Sequence, residues 1–103
     1  MKKIIDRMLF NTETAEEIHS YSNGYGYSDF HHLAETLYLT KLGAYFLHGE
    51  GGGLSKYAVR VGNGTCEGEE IVPMTKDEAY QWLESVDAVD AIEAHFPELV
   101  KDA

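Results

Sequence analysis

The chain has 103 residues, of which 44% are hydrophobic and 12% aromatic, and this composition predicts a single folded domain over residues 1–103. The chain has eight Lys and Arg residues and 18 Asp and Glu residues, so its net charge is -10. This charge disfavours direct binding of nucleic acid or anionic membranes. The sequence contains neither the ~20 apolar residues of a membrane span nor the apolar core of a secretory signal. We therefore expect a cytoplasmic protein.

The N-terminal segment predicts a short strand or hairpin and then a short helix. Residues 2–10 alternate loosely between apolar and polar, with a turn or kink at residues 6–7. Thr14 and Glu17 have the spacing of a capping box, and Asn23-Gly24 supplies a helix stop. We therefore expect a helix ending near residue 22, with one face formed by Ala15, Ile18, His19 and Ser22.

A change to a period of two predicts a central hairpin at residues 32–48, with Gly43 supplying the positive φ of its turn. Glu35 interrupts the apolar face of the first strand. The glycines at 51–53 favour an end to the second strand, because glycine in a strand has a large backbone entropy cost. Residues 54–61 fit either a short strand or one helical turn, and residues 70–73 predict an edge strand ending in proline.

The C-terminal third predicts two helices. Thr75 and Glu78 form a capping box for the first helix. Its inward stripe is predicted to be Ala79, Trp82, Leu83 and Val86. Asp87 and Asp90 are candidate caps for a second helix with an inward face of Val89, Ile92 and Phe96. The fold class that follows is α+β: an antiparallel sheet of three to four strands and two to three helices, the C-terminal two packed on one face.

No residue pattern predicts catalysis. The five histidines are scattered or adjacent, and Cys66 has no CxxC or HxxxH partner, so we expect no metal site. Cys66 sits in an acidic stretch that disfavours a reactive thiolate, and no GxSxG motif occurs. The glycine run around Glu50 lacks the lysine of a phosphate-binding loop. We therefore expect no catalytic residue and no cofactor, and a protein that functions by binding.

Two features are candidates for partner binding. Tyr25 and Tyr27 lie in an aromatic loop, where tyrosines fit either the edge of a core or a protein contact, and Glu50 lies in the flexible glycine run. Eleven of the 18 acidic residues lie in residues 67–103, with only two lysines. Such rows of acids are either a solvated face or a mimic of a nucleic-acid backbone. The candidate residues of this second feature are Asp77, Glu78, Glu84, Asp87, Asp90 and Glu93.

Several stretches resemble a family of small proteins from phages and mobile elements of gut Firmicutes. The resemblance is carried by YFLHGEGG (45–52) and LSKYA (54–58), and by NTETAEEI, YSNGYGYSDF, ETLYLTKLGAYF and IVPMTKDEAYQWLE in the same order. Some small proteins of this kind are type II-A anti-CRISPR proteins. The resemblance implies an inhibitor that binds Cas9 or its guide RNA complex, and we expect it to act as a monomer. The alternative is an accessory protein that binds another host protein through its Tyr- and Gly-rich loops.

Overall fold

The computed structural model describes all residues, 1–103, as an α+β fold. Eight strands and two α-helices follow one another along the chain, and a short 3₁₀ helix closes it at Pro97–Leu99. The strands and helices are β1 Lys2–Ile5, β2 Met8–Asn11, β3 Glu16–Ser22, β4 Leu33–Leu39, β5 Tyr45–Gly51, β6 Val59–Val61, β7 Gly64–Cys66, β8 Gly68–Met74, α1 Lys76–Ser85 and α2 Val89–His95. Neither helix combines the length and hydropathy that crossing a lipid bilayer demands.

An antiparallel four-stranded sheet in the order β3-β4-β5-β8 forms the centre of the fold. The predicted central hairpin is confirmed as β4 and β5, joined at a turn in which Gly43 has a φ of 90°. The predicted edge strand is confirmed as β8. The prediction that the glycines end the second strand early is wrong, because β5 continues through Gly51.

The two faces of the sheet carry different cores. Helices α1 and α2 cover one face, where Leu37 and Leu47 of the hairpin pack with Trp82, Leu83 and other buried residues. On the other face a smaller cluster of Phe10, Phe46 and Ile71 lies where the β1–β2 hairpin meets the sheet. Because side chains alternate along a strand, the register of β5 assigns Leu47 and Gly49 to the helix-covered face and Glu50 to the other.

The prediction of a helix ending near residue 22 is wrong, because this segment is strand β3. A β-bulge shifts its register between Glu17 and His19. The bulge inserts one extra residue, so Ile18 and Tyr21 both pack against the helix-side core despite their spacing of three. A spacing of three imitates a helical period, and the pairing of β3 with β4 decides the outcome. The prediction of a short strand or hairpin at the N-terminus is confirmed, and the structure shows the hairpin, with a positive φ at both Asp6 and Arg7 in its turn.

The C-terminal helices confirm the prediction of two helices on one face, with two corrections. In the capping box of α1, the backbone N–H of Glu78 donates to Thr75 Oγ1 over 3.1 Å, and Glu78 Oε1 accepts from the Thr75 N–H over 2.8 Å. The predicted acidic cap of α2 is wrong, because Ala88 is the N-cap and no side chain caps it. Ala88 is also buried, whereas Val89 is 60% exposed and does not belong to the inward face.

Candidate protein-binding site

Six carboxylates lie on the two C-terminal helices and in the turn between them, and we call them collectively the acidic helix surface. All six side chains are exposed, and none of them forms an ion pair. On α1, Asp77 and Glu84 are seven residues apart and therefore share the side of the helix opposite its buried stripe. The residues of this surface are Asp77, Glu78, Glu84, Asp87, Asp90 and Glu93.

The six carboxylates are not equally free. Glu78 is engaged in the capping box, so its carboxylate stabilises the start of α1. Glu84 accepts a hydrogen bond from the hydroxyl of Tyr80 over 2.8 Å, which raises the pKa of Tyr80. Asp77 and Glu93 make no side-chain hydrogen bond. The surface therefore combines acids that stabilise the helices with acids that are free to meet a partner.

Asp87 and Asp90 come together at the junction of the two helices. Asp87 has a φ of 55°, a left-handed conformation in the turn between α1 and α2. Both aspartates line a hollow of about 240 Å³ that also contains His19 of β3. Spacing along the sequence predicted a shared surface for these two acids, and the junction places them in one depression.

The nearest helix cation does not neutralise this surface. Lys76 opens α1, but its ammonium lies 3.0 Å from a carboxylate oxygen of Glu98 in the 3₁₀ helix. The hydrogen bond to Glu98 and its charge raise the pKa of Lys76. Because both side chains are exposed, this pair contributes little to stability. Lys76 is therefore paired with Glu98, which lies outside the acidic helix surface, and forms no ion pair with the six acids of that surface.

The remaining predicted residues form a second group. The hydroxyl of Tyr27 donates to Glu50 Oε1 over 3.1 Å, which joins the tyrosine loop to strand β5 across 23 residues of sequence. This hydrogen bond and the charge of Glu50 raise the pKa of Tyr27. Tyr25 is 50% exposed and lies beside His31, with ring centroids 5.8 Å apart. Glu50 lies on the sheet face away from the helices, so the predicted residues do not form one continuous site.

A hollow of about 350 Å³ is lined by Tyr27 and Glu50 and by five residues that were not predicted, three of which carry polar side chains. These three are His32, Glu67 and Glu69. We call this feature the acidic hollow; its full lining is Tyr27, His32, Glu50, Gly51, Glu67, Gly68 and Glu69. The pairing of β5 with β8 sets Glu69 directly opposite Glu50, a placement that no local sequence signal marks. No sequence signal marks His32 as part of it.

His32 is the most unusual side chain of the acidic hollow. It is only 6% exposed, and its Nδ1 lies 2.9 Å from the carbonyl oxygen of Tyr25. Its Nε2 is buried and has no hydrogen-bond partner. The ring of Tyr27 lies over it, with centroids 4.5 Å apart. Buried polar atoms are almost always paired, so an orphaned ring nitrogen at a hollow is a candidate ligand contact.

Glu35 is a buried carboxylate with a structural role on the helix-covered face of the sheet. It is 4% exposed and accepts hydrogen bonds from Tyr57 and, over 3.0 Å, from Trp82 Nε1, while Lys56 Nζ lies 2.7 Å from Oε2. Burial opposes its ionisation, but the bonds from Lys56, Tyr57 and Trp82 outweigh burial and lower the pKa of Glu35. Burial and the neighbouring Glu35 raise the pKa of Tyr57. All donors and acceptors here are satisfied within the fold.

The acidic helix surface and the acidic hollow both offer hydrogen-bond acceptors and negative charge. No group of three or more His, Cys, Asp or Glu side chains is arranged to hold a metal ion, and Cys66 is an exposed free thiol. The arrangement is therefore suited to binding a cationic partner. Comparison of the chain with protein-family models, with curated proteins and with solved structures finds no match.

Proposed function

We propose that this protein is a non-catalytic inhibitor that binds a basic, nucleic-acid-binding region of a type II-A Cas9 effector through its acidic helix surface. The observation that carries the proposal is the absence of any ion pair at the six carboxylates of that surface. The family resemblance supplies the identity of the partner. No cofactor takes part.

The chemistry of Cas9 fits such an inhibitor. Cas9 holds its guide–target duplex in a positively charged channel and recognises the PAM with arginines. Asp77 and Glu84 are two helical turns apart, which corresponds to about 10 Å along α1. A rigid row of carboxylates on this scale can occupy arginines and lysines that otherwise contact phosphates. DNA is then excluded by competition for the same cations.

The charge of the whole chain shapes the kinetics of this association. A net charge of -10 accelerates encounter with a basic surface and repels free nucleic acid. We therefore propose a cytoplasmic monomer that binds Cas9 or the Cas9–guide RNA complex. Because the surface is exposed, its attraction is screened within about 8 Å at physiological salt, and binding should weaken steeply as salt is added.

The test is a pull-down of purified Cas9, with and without guide RNA, across a salt series, followed by a target-cleavage assay. The test variant reverses four acids of the surface: Asp77→Lys, Glu84→Lys, Asp87→Lys and Asp90→Lys. The control variant makes the same change in net charge elsewhere, at the exposed residues Glu13, Glu16, Glu17 and Asp102. We expect the first variant to lose inhibition and the control to retain most of it.

Two results would contradict the proposal. Full inhibition by the four-lysine variant would remove the acidic helix surface from the mechanism. Equal losses in both variants would show that net charge alone, without a defined surface, supports binding. Circular dichroism of each variant confirms that its helices are retained before binding is compared.

One observation favours the alternative, a mobile-element accessory protein that binds another host protein. The hydrogen bond from Tyr27 to Glu50 joins the tyrosine loop to the end of strand β5, and this alternative uses both of these residues. Tyr27 is 75% exposed, as expected of an aromatic contact residue. Under this alternative, Tyr25→Ala and Tyr27→Ala reduce capture of the host protein more than the four charge reversals do. The same pull-down, run from a host lysate, compares the two sets of variants.

A further inference from the structure

The acidic hollow has an unusual charge arrangement on the sheet face opposite the helices. Glu50 of β5 and Glu69 of β8 are direct partners in the antiparallel register. Residues opposed in this way have Cβ atoms about 5 Å apart, and like charges at such positions repel each other. Glu67 lines the same hollow, and neither Lys nor Arg does. Three carboxylates therefore share a concave space without a resident cation.

The contacts within the hollow relieve this repulsion only in part. Glu50 accepts a hydrogen bond from the hydroxyl of Tyr27, and Glu69 Oε2 lies 2.9 Å from His48 Nε2. Glu67 has no ion-pair partner, and Gly51 and Gly68 contribute bare backbone to the wall. A protein has no folding reason to gather like charges on two paired strands, and such local conflicts are typical of functional sites.

The orphaned nitrogen of His32 indicates which kind of group the hollow accepts. The carbonyl oxygen of Tyr25 can only accept, so His32 Nδ1 carries the proton that joins them. In the neutral ring, Nε2 then presents a lone pair, and it has no partner. The fold therefore leaves one polar atom in the wall of the hollow, His32 Nε2, without a hydrogen bond.

We propose that the acidic hollow binds a guanidinium group, presented by an arginine side chain of a protein partner. A hollow lined by acceptors requires a cation that is rich in donors, and guanidinium has five N–H groups in a planar fork. Its flat face also stacks on aromatic rings, and Tyr27 provides one at the rim. The volume of about 350 Å³ exceeds the space that a bare metal ion fills, and no three of the His, Cys, Asp or Glu side chains are arranged to hold a metal ion.

The surroundings of the hollow favour a protein as the source of the guanidinium. Tyr27 and Phe30 also line an adjoining hollow of about 280 Å³. Phe30 and Leu54 are 69% and 63% exposed, and a 2.9 Å backbone hydrogen bond holds them together. Tyrosine and arginine are both enriched at protein-binding hot spots, so an arginine held beside Tyr27 fits a protein contact. Free arginine is a poorer ligand, because its α-carboxylate would meet three glutamates. This site does not depend on the partner proposed above.

The experiment is a titration of the full-length, ¹⁵N-labelled protein followed by NMR. The probes are arginine with both ends capped as amides, capped lysine, capped citrulline as the neutral isostere, free arginine, and Zn²⁺ or Mg²⁺ alone. The signals are the ring nitrogens of His32 and the backbone amides of Gly51 and Gly68. We expect capped arginine to shift these signals saturably at millimolar concentration, capped lysine to bind more weakly and citrulline not to bind.

A pair of matched variants localises the binding. Glu67→Gln removes one charge from the hollow without breaking an ion pair, and Glu13→Gln makes the same change at an exposed residue outside both acidic sites. Because hydrogen bonds to charged groups are strong, we expect Glu67→Gln to weaken the binding of capped arginine about tenfold and Glu13→Gln to leave it unchanged. The amide spectra of both variants report whether the fold is intact.

Each other outcome overturns part of the proposal. Equal binding of citrulline would remove the cation from recognition, and equal weakening by both variants would reduce the effect to diffuse attraction. Tighter binding of free than of capped arginine would make a small molecule the ligand instead of a protein side chain. Shifts of His32 with a metal ion and none with capped arginine would replace the guanidinium site with a metal site. Since Cas9 is absent from the experiment, its failure leaves the proposed inhibition untouched.

Discussion

Glu35 and Glu50 lie at neighbouring positions of the same sheet, yet their surroundings are opposite. Glu50 pairs with Ala34 across the central hairpin, so Glu35 is one residue away along β4 and faces the other side of the sheet. Glu35 is covered by α1. It forms an ion pair with Lys56 and accepts hydrogen bonds from Tyr57 and Trp82. Glu50 has one hydrogen bond, from Tyr27, and faces the carboxylate of Glu69.

The difference separates carboxylates that stabilise the fold from carboxylates that are open to a ligand. A buried charge without partners is very costly, so Glu35 is compatible with folding only because three donors surround it. Glu50 and Glu69 are partly exposed, and solvent screens their repulsion enough for the pair to persist. Full compensation by the chain's own residues indicates a structural role, and the partial compensation at the acidic hollow is the basis of the binding role proposed for it.

The largest expected effect tests the structural side of this comparison at Trp82. Trp82 packs in the helix-side core and also donates to Glu35. Trp82→Ala removes both contributions, and we expect the free energy of unfolding to fall by about 3–5 kcal/mol. Trp82→Phe keeps a ring but loses the donor, so its loss should be smaller. Urea denaturation measures both, and equal losses would show that the bond to Glu35 dominates the contribution of Trp82.

The next effect concerns the glycine that lets Tyr57 reach Glu35. A Cβ atom at Gly49 would lie 1.9 Å from a ring carbon of Tyr57, so the ring would be displaced. We expect Gly49→Ala to destabilise the protein by about 1–3 kcal/mol, as overpacked sites do. Gly26→Ala is the matched control, because nothing lies within 4 Å of the added Cβ. Thermal unfolding followed by circular dichroism compares the two, and equal melting temperatures would contradict the close packing.

Glu35→Gln tests the compensated charge itself, and its effect depends on pH. Because the fold lowers the pKa of Glu35 from 4.5, the ionised carboxylate stabilises the protein above that value. This stabilisation is lost as pH falls below 4.5 through the lowered pKa. At pH 7 we expect Glu35→Gln to cost about 1–3 kcal/mol. The difference between wild type and variant should shrink in acid, and a difference that is constant with pH would contradict an ionised Glu35.

Local signals were enough to predict much of the fold. The glycine at 43, the proline in β8 and the capping box of α1 act within a few residues, and all three predictions are confirmed. Strand β3 was missed because a bulge gives its apolar residues a helical spacing. Pairing across the sheet, which the local sequence does not encode, decides that segment.

Sequence could not predict which carboxylates are compensated. The donors to Glu35 include Trp82, 47 residues away, so its role is decided by tertiary packing. The opposition of Glu50 and Glu69 depends on the register of β5 and β8, and a shift of one residue would separate them. Charge counting located the acidic helix surface, whose residues are close in sequence. It missed the acidic hollow, whose residues come from three segments.

The smallest expected change in stability is at Glu50, in the acidic hollow. It is a gain, whereas the other variants are expected to lose stability. Glu50→Gln removes the repulsion between Glu50 and Glu69, while a side-chain oxygen remains to accept the hydroxyl of Tyr27. We therefore expect a gain in stability of about 0.2–1 kcal/mol at low salt, declining as salt is added. Glu93→Gln removes an equal charge from the exposed surface of α2 and should change stability less. Urea denaturation at two salt concentrations measures both variants. If Glu50→Gln destabilises the protein, the carboxylate of Glu50 is required by the fold, and the contrast with Glu35 disappears.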